Sequence, residues 1–487
     1  MAKENIIPLQ NFNHGGLADS RWSGATNSLY KITGMDPHTT PGLLKVAQKM
    51  TKISGTDIDE FCKEKVVSSN GYVYWFSADS GKIWEQKLSD NSFTLVLTTT
   101  AAAGEVKCTG AFEYNGYIYW CTESKLHRIA STNIGATNWA ANKALNWATF
   151  LKTDKLFHPH VELNGVAYIG DAEYIAQIDQ DTFTGDALDI PAPLRTKSLG
   201  KCGTELLIGT WVTDTITSTR IIKWNTYSVS FSTTDDIPET GINAFIPADN
   251  FVLVNAGIAG NLYAYDSSTN SLELYKTIPG DYSPTSYGSI NPASVGSLNG
   301  QILMGFSNGS GNPADLGVYR IARHDNKYPY ILDFPYPISE RSETDFVTTN
   351  VEIGAIAVSG FNVFVAWKRT VIGTPDTYVY GIDKLDWSLK LDQAYIETRI
   401  MSITREQFST VSKIAFAFYQ IPTSCSLAFE YDKNYQGYVD MVMLKDVDRN
   451  IVTAEECPEA SVLSIRITFT SSGNTSPSIE SGAVFLE

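Results

Sequence analysis

Few residues in this chain have the types and spacing for chemistry. Ser77-Ala78-Asp79-Ser80-Gly81-Lys82-Ile83-Trp84 carries the pattern S-x-D-x-G-x-x-W. Oxygens of Ser77 and Asp79 can accept backbone N–H bonds across a turn, Gly81 permits a left-handed bend, and Trp84 packs beneath it. That chemistry is structural. His158-Pro159-His160 puts two imidazoles two residues apart on an expected inner strand, where a period of two aims both at one face. Asp171 or Glu173 could join them around a metal, but no third ligand is fixed by spacing, so the pair reads as a turn or surface feature. Asp446-Val447-Asp448-Arg449-Asn450 has the start of a calcium loop, yet Ile451 and Cys457 stand where Gly and Glu are needed, which leaves a solvated hairpin tip. There is no G-x-S-x-G, H-E-x-x-H or phosphate loop. The six cysteines, at positions 62, 108, 121, 202, 425 and 457, form no C-x-x-C pair and have no histidine at zinc-finger spacing. They are expected to be reduced and structural. No catalytic residue, metal or cofactor is expected.

These residues are spaced out along a repeat. Tyr114-Asn115-Gly116-Tyr117-Ile118-Tyr119-Trp120 is a tight turn followed by an apolar strand: Asn-Gly supplies positive φ, and aromatic and β-branched residues suit a pleated surface. Copies follow the turns at Asn70-Gly71, Asn164-Gly165, Cys202-Gly203, Asp249-Asn250, Asn299-Gly300 and Ser359-Gly360, at steps of 38 to 60 residues. A second strand follows each copy, as in Lys125-Leu126-His127-Arg128-Ile129. An inner strand precedes each, often with small residues, as in Gly110-Ala111-Phe112 and Ala355-Ile356-Ala357. Repeats of this length with four short strands are the mark of propeller blades. The expectation is an all-β chain with a seven-bladed β-propeller over residues 56–394.

Both ends depart from the repeat. Residues 1–55 mix glycine, proline and single apolar residues without a period, and so read as an extended docking arm that lies on something else. Residues 43–53 are open between helix and strand; as a strand they could complete the outer edge of the last blade. Residues 395–487 hold several short alternating strands, which suggests a small β-sandwich.

The formal net charge of −16 argues against general nucleic-acid binding. No apolar run approaches the length needed to span a bilayer, and the opening residues lack the regions of a secretory signal. The expectation is a chain that neither inserts in a membrane nor is exported by that route.

Phe12-Asn13-His14-Gly15-Gly16-Leu17, Gly34-Met35-Asp36-Pro37-His38 and Pro41-Gly42-Leu43-Leu44-Lys45-Val46 resemble the start of tailed-bacteriophage minor virion proteins, in which a G-G-L arm is followed by G-x-D and P-G steps. Residues 69–84 and 113–129 resemble the propeller of the same group. Residues 463–470 and 475–479 are similar to a closing sandwich hairpin common in phage tail and baseplate proteins. The resemblance implies a virion component of the tail, neck or baseplate, assembled in the host cytoplasm. Such a protein is a rigid protein–protein interaction scaffold and not an enzyme. Its partners would be other virion proteins and copies of itself in a ring, reached through an arm that includes Phe12, Gly15, Gly16, Leu17 and Trp22. The alternative is a tail-tip protein that binds a host glycan or receptor; a capsid decoration protein or a sialidase-like glycosidase is less favoured. The residues at Ser77–Trp84 do resemble the Asp box of sialidase-type propellers, where it is a structural turn, but the arginine and tyrosine–glutamate set of those enzymes is not evident.

Overall fold

The computed structural model describes residues 5–486 except 25–26, 56, 100–105, 155, 213–218, 249–250, 267–268, 309–316, 328–329, 341–350, 372–376, 404–410, 447–450 and 458. Among these residues the regular structure is almost all strand, with two short helices, Phe12–Gly15 and Gly135–Asn142. No helix is long and apolar enough to cross a membrane.

The strands follow from local chemistry. Asn115-Gly116, Asn164-Gly165 and Asn299-Gly300 each take positive φ at both residues, the geometry whose twist matches a two-residue hairpin. At Asn70-Gly71 only the glycine does so, and the Asn70 amide instead donates to the Ser131 carbonyl at 2.6 Å, which ties one blade to the next. Side chains alternate along each strand, so aromatic and aliphatic residues fill the spaces between blades. Tyr74, Trp120 and Trp139 pack together in this way, the last from the unforeseen helix Gly135–Asn142.

Six antiparallel four-stranded sheets stand as blades, at residues 62–99, 110–149, 160–189, 195–237, 242–277 and 351–390. Their first strands line an axis. Gly110 is needed there, since a Cβ on it would sit 2.0 Å from the His158 carbonyl oxygen. The last blade takes its outer strand, Gln48–Lys52, from the N-terminal segment, with Met50 opposite Leu385. This is the strand reading of residues 43–53.

The count of seven blades is corrected to six. The remaining repeat copy, Gly288–Leu298, Gln301–Asn308, Gly317–Ala322 and Ile331–Pro337, is not a separate blade. It occupies the ring between the blades at 242–277 and 351–390, but it is one end of a ten-stranded sheet. Its outermost strand does not end in solvent. Ile331–Pro337 pairs in parallel with Leu29–Thr33, Thr33 opposite Phe334, and the sheet runs on through Gln393–Thr398, Val462–Thr470, Ser426–Lys433 and Tyr438–Asp440.

A seven-stranded sheet packs on the far part of that sheet to make the sandwich. Ile414, Phe416 and Phe418 alternate inward from one side and Ile465, Ile467 and Phe469 from the other. The seven-stranded sheet also takes in N-terminal strands: Asn5–Leu9 and Leu44–Val46 both pair with Ser478–Leu486. Phe12, Leu17, Leu29, Ile32, Met35, Leu44 and Val46 belong to the same core as Leu332, Phe334 and Ile396.

A buried ion pair fixes this junction. Arg320, on the third strand of the ring copy, reaches Asp333 on the fourth at 2.6 Å and Asp36 of the N-terminal segment at 2.9 Å. His38 stands 3.6 Å from Asp333, and its carbonyl oxygen is 2.7 Å from His324 Nδ1. Burial pushes the Asp36 carboxyl upward. The Arg320 guanidinium, the Thr39 hydroxyl and the His38 N–H outweigh this and hold it well below the usual carboxylate range.

Two outcomes are expected. Arg320→Met takes the shared cation from Asp333 and Asp36 and should cost about 3–5 kcal/mol in urea denaturation. Lys49→Met, which breaks the exposed pair with Asp392, should cost less than about 1 kcal/mol. Equal losses would show that the junction is not special. A carboxyl held low when folded stabilises above its unfolded value, and that stabilisation is lost as pH falls through its folded value. Stability should therefore drop below about pH 4, and Asp36→Asn should flatten that drop, as read by melting temperature against pH.

Candidate functional site: the axial cavity

The first strands of the ring carry an unusual set of side chains to the axis. Cys62–Val67 brings Lys63, Glu64 and Lys65; Arg195–Cys202 brings Lys197; Ile242–Pro247 brings Asn243. Phe157 and His158 precede the strand His160–Leu163. The strand Gly288–Leu298 loses regular pairing between Ile290 and Val295, and Asn291 to Ala293 there face the axis. The result is a two-lobed cavity of about 140 and 210 Å³, the lobes sharing Lys63, Phe157, Lys197, Asn291 and Pro292.

Hydrogen bonds shape its wall. Asn291 Nδ2 donates to the carbonyls of Gly354 at 2.8 Å and Lys63 at 3.2 Å. The Lys65 ammonium donates to the Ala293 carbonyl at 2.9 Å, and the Lys197 ammonium to Asn243 Oδ1 at 2.6 Å. Burial dominates the electrostatics. It pushes the Glu64 carboxyl up to about 7 against the pull of Lys65 and Lys63, and lowers Lys65 against the pull of Glu64. Burial, helped by the charge on Lys63, brings Lys197 down to about 8. Near neutral pH the cavity thus holds ammonium groups and a carboxyl that is only partly ionised. Such a site attracts anions and can hold them by charge-assisted hydrogen bonds.

His158 and His160 both line this cavity, but not as metal ligands. His158 Nδ1 is 2.7 Å from the Thr109 hydroxyl and its ring stacks on Phe150, while His160 stacks on Phe112. Burial lowers both imidazoles to about 3, Arg195 adding to it at His158 and Lys65 at His160, so both are neutral. Asp171 is taken up by the backbone N–H groups of Leu151 and Lys152, and Glu173 stands 4.0 Å from Lys152. Among the described residues no group of three His, Cys, Asp or Glu could hold a metal. The residues 447–450 of the calcium-like stretch lie outside the described residues.

The turn at Ser77–Trp84 joins the second and third strands of the first blade, away from the axis. Ser77 Oγ accepts the N–H groups of Asp79 and Ser80, both at 3.0 Å, and Trp84 is buried beneath. Two details differ from expectation. Asp79 is exposed, and the carboxylate that braces the turn is Glu60, which accepts from Ser77 and Ser80 and pairs with Lys82. Gly81 is not in the left-handed region.

The docking-arm residues are used within the chain. Phe12 and Leu17 are 3% exposed, in the junction core. Gly15 and Gly16 are buried, and nothing larger fits there: a Cβ would lie 2.1 Å from the Asn27 carbonyl oxygen at Gly15 and 2.7 Å from Ile331 at Gly16. A segment without its own period still finds a core when each short piece pairs with a different distant strand. Trp22 alone of the five is exposed, at 62%, against Tyr435. Sequence reasoning missed Lys63, Lys65 and Lys197. The available signal was lysine at or beside inner strands otherwise rich in small residues.

No family model and no curated protein matches this chain. Solved structures do. The extracellular domain of the hybrid two-component system BT4673 from B. thetaiotaomicron is 13% identical with a TM-score of 0.47; the match covers 83% of this chain and 47% of that one. Virginiamycin B lyase from Staphylococcus aureus, in a catalytically inactive form with quinupristin, is 13% identical with a TM-score of 0.46, over 69% of this chain and 97% of the lyase. The N-terminal domain of Nup159 is 12% identical with a TM-score of 0.41, over 75% and 99%. At these values no activity passes from any of them to this chain, and what stands is an all-β chain with a β-propeller.

Proposed function

We propose that this chain is a structural component of a tailed-phage virion, a rigid scaffold for contacts with other virion proteins. The observation that carries the reading is the ten-stranded sheet that runs without a break from the ring axis into the sandwich. It leaves no linker at which ring and sandwich could hinge, and a part that transmits position within a particle needs that stiffness. The N-terminal residues that resemble phage virion proteins are the ones that build this junction. Their pattern is thus one that a fold of this kind requires.

The sandwich offers a contact surface that the buried arm does not. Among the described residues, Tyr438–Asp440 ends the ten-stranded sheet and Met443–Asp446 ends the seven-stranded one, a few residues apart in the chain. Val439, Val442 and Leu444 are exposed there, and strand edges with apolar side chains favour pairing with a neighbour.

Mass spectrometry of particles purified from the phage that encodes the chain should find the protein in the wild-type virion. With Val442→Asp and Leu444→Asp together its incorporation should fall about tenfold while its melting temperature stays close to wild type. Absence of the wild-type chain from the particles would refute the virion reading. Full incorporation of the double variant would refute the contact surface.

A further inference from the structure

The chain carries a net charge of −16, yet it collects lysines at its ring axis. Two of them converge on one aromatic ring: Lys63 Nζ lies 6.0 Å and Lys197 Nζ 5.5 Å from the centre of Phe157. They repel each other, and the charge on Lys63 is part of what lowers Lys197. Among the described residues the carboxylates lining the cavity offset this only in part. Glu352, at the far lobe, is paired with Lys368 at 2.5 Å, and Glu64 is partly protonated near neutral pH. Lys197 and Lys65 donate to an amide oxygen and a carbonyl oxygen, which satisfy hydrogen bonds without cancelling charge. Among the described residues the Lys63 ammonium has no hydrogen-bond acceptor at all. Holding like charges together in a half-buried place is costly unless something of opposite charge joins them.

We propose that the axial cavity is a binding site for a small oxyanion, either inorganic phosphate or the carboxylate of a small organic acid, held between Lys63 and Lys197 beside Phe157. The volume fits this class: lobes of about 140 and 210 Å³ admit a phosphate or a small di- or tricarboxylic acid and shut out a folded partner or a nucleic-acid strand. The chemistry fits as well. Ammonium groups are strongly hydrated point charges that hold oxyanions without demanding one geometry, so a phosphate and a carboxylate share the same contacts. A cavity with low-dielectric walls strengthens the attraction relative to the open surface. Bound anion would tie the strands Cys62–Val67 and Arg195–Cys202 across the ring. It would therefore stabilise the folded chain in proportion to its occupancy.

Isothermal titration calorimetry of the full chain in low-salt, phosphate-free buffer tests this, with sodium phosphate in one arm and sodium citrate in the other. Saturable binding of either is expected, and the arm that binds identifies the class. Lys63→Gln should weaken that binding about tenfold, the loss of one charge-assisted hydrogen bond, with circular dichroism unchanged. Lys49→Gln, on the outer strand of the last blade, should bind as wild type does. No saturable binding of either anion by the wild-type chain would overturn the proposal. So would equal binding by Lys63→Gln, or equal weakening by the two variants.

Discussion

A guanidinium taken out of water must be surrounded by charge, and Arg320 is 2% exposed. Its two carboxylates come from different parts of the chain: Asp333 is 13 residues on, but Asp36 is 284 residues back. The native arrangement satisfies both demands only if the N-terminal segment lies against the outer strand of the ring copy. The same contact places Leu29–Thr33 beside Ile331–Pro337. From that single placement follow the parallel pairing, the ten-stranded sheet and the reduced number of separate blades. Such a pair adds little net stability against an apolar replacement, but it disfavours every arrangement in which one partner is left alone.

The junction also explains how the ring closes. One strand of the N-terminal segment, Gln48–Lys52, finishes the last blade, while the strands before it enter the sandwich. The segment thus spans the closure of the ring and the attachment of the sandwich. At the opposite end of each inner strand the demand is different. Backbones approach closely at the axis, which favours glycine and alanine, and the space that remains is small and ringed by polar atoms. Lysines line that space, and there Lys65 and Lys197 donate to a carbonyl and an amide oxygen, which satisfies their N–H groups but leaves their charge in place.

How much of this could be read from the chain depends on range. The hairpins at Asn115-Gly116, Asn164-Gly165 and Asn299-Gly300 were legible because their turn chemistry is complete within a few residues. The inner strands were legible because crowding leaves a local mark, small residues beside apolar ones. The fate of Ile331–Pro337 was not. A strand that borders solvent and one that borders Leu29–Thr33 have the same alternation, and only the distant partner decides between them. The segment 1–55 misled for the same reason. Its pieces are too short to show a period, yet Leu29, Ile32, Met35, Leu44 and Val46 are all buried once their partners are present. At the axis, His160 is a stacked ring among buried neighbours, and Lys197 carries no local mark, since a single lysine before an apolar strand is common. The turn at Ser77–Trp84 was recognised, but its bracing carboxylate, Glu60, lies outside the motif.

Hydrogen–deuterium exchange of the intact chain, followed by peptide mass, tests the central claim most directly. If the N-terminal segment is part of the body of the fold, the amides of Leu29–Thr33 and Gln48–Lys52 will be protected to the same degree as Val363, Phe364 and Val365 in the last blade, and all will open together in mild denaturant. Rapid exchange in Leu29–Thr33 and Gln48–Lys52 while the blades stay protected would mean an arm resting on a ring complete without it, and would contradict the account.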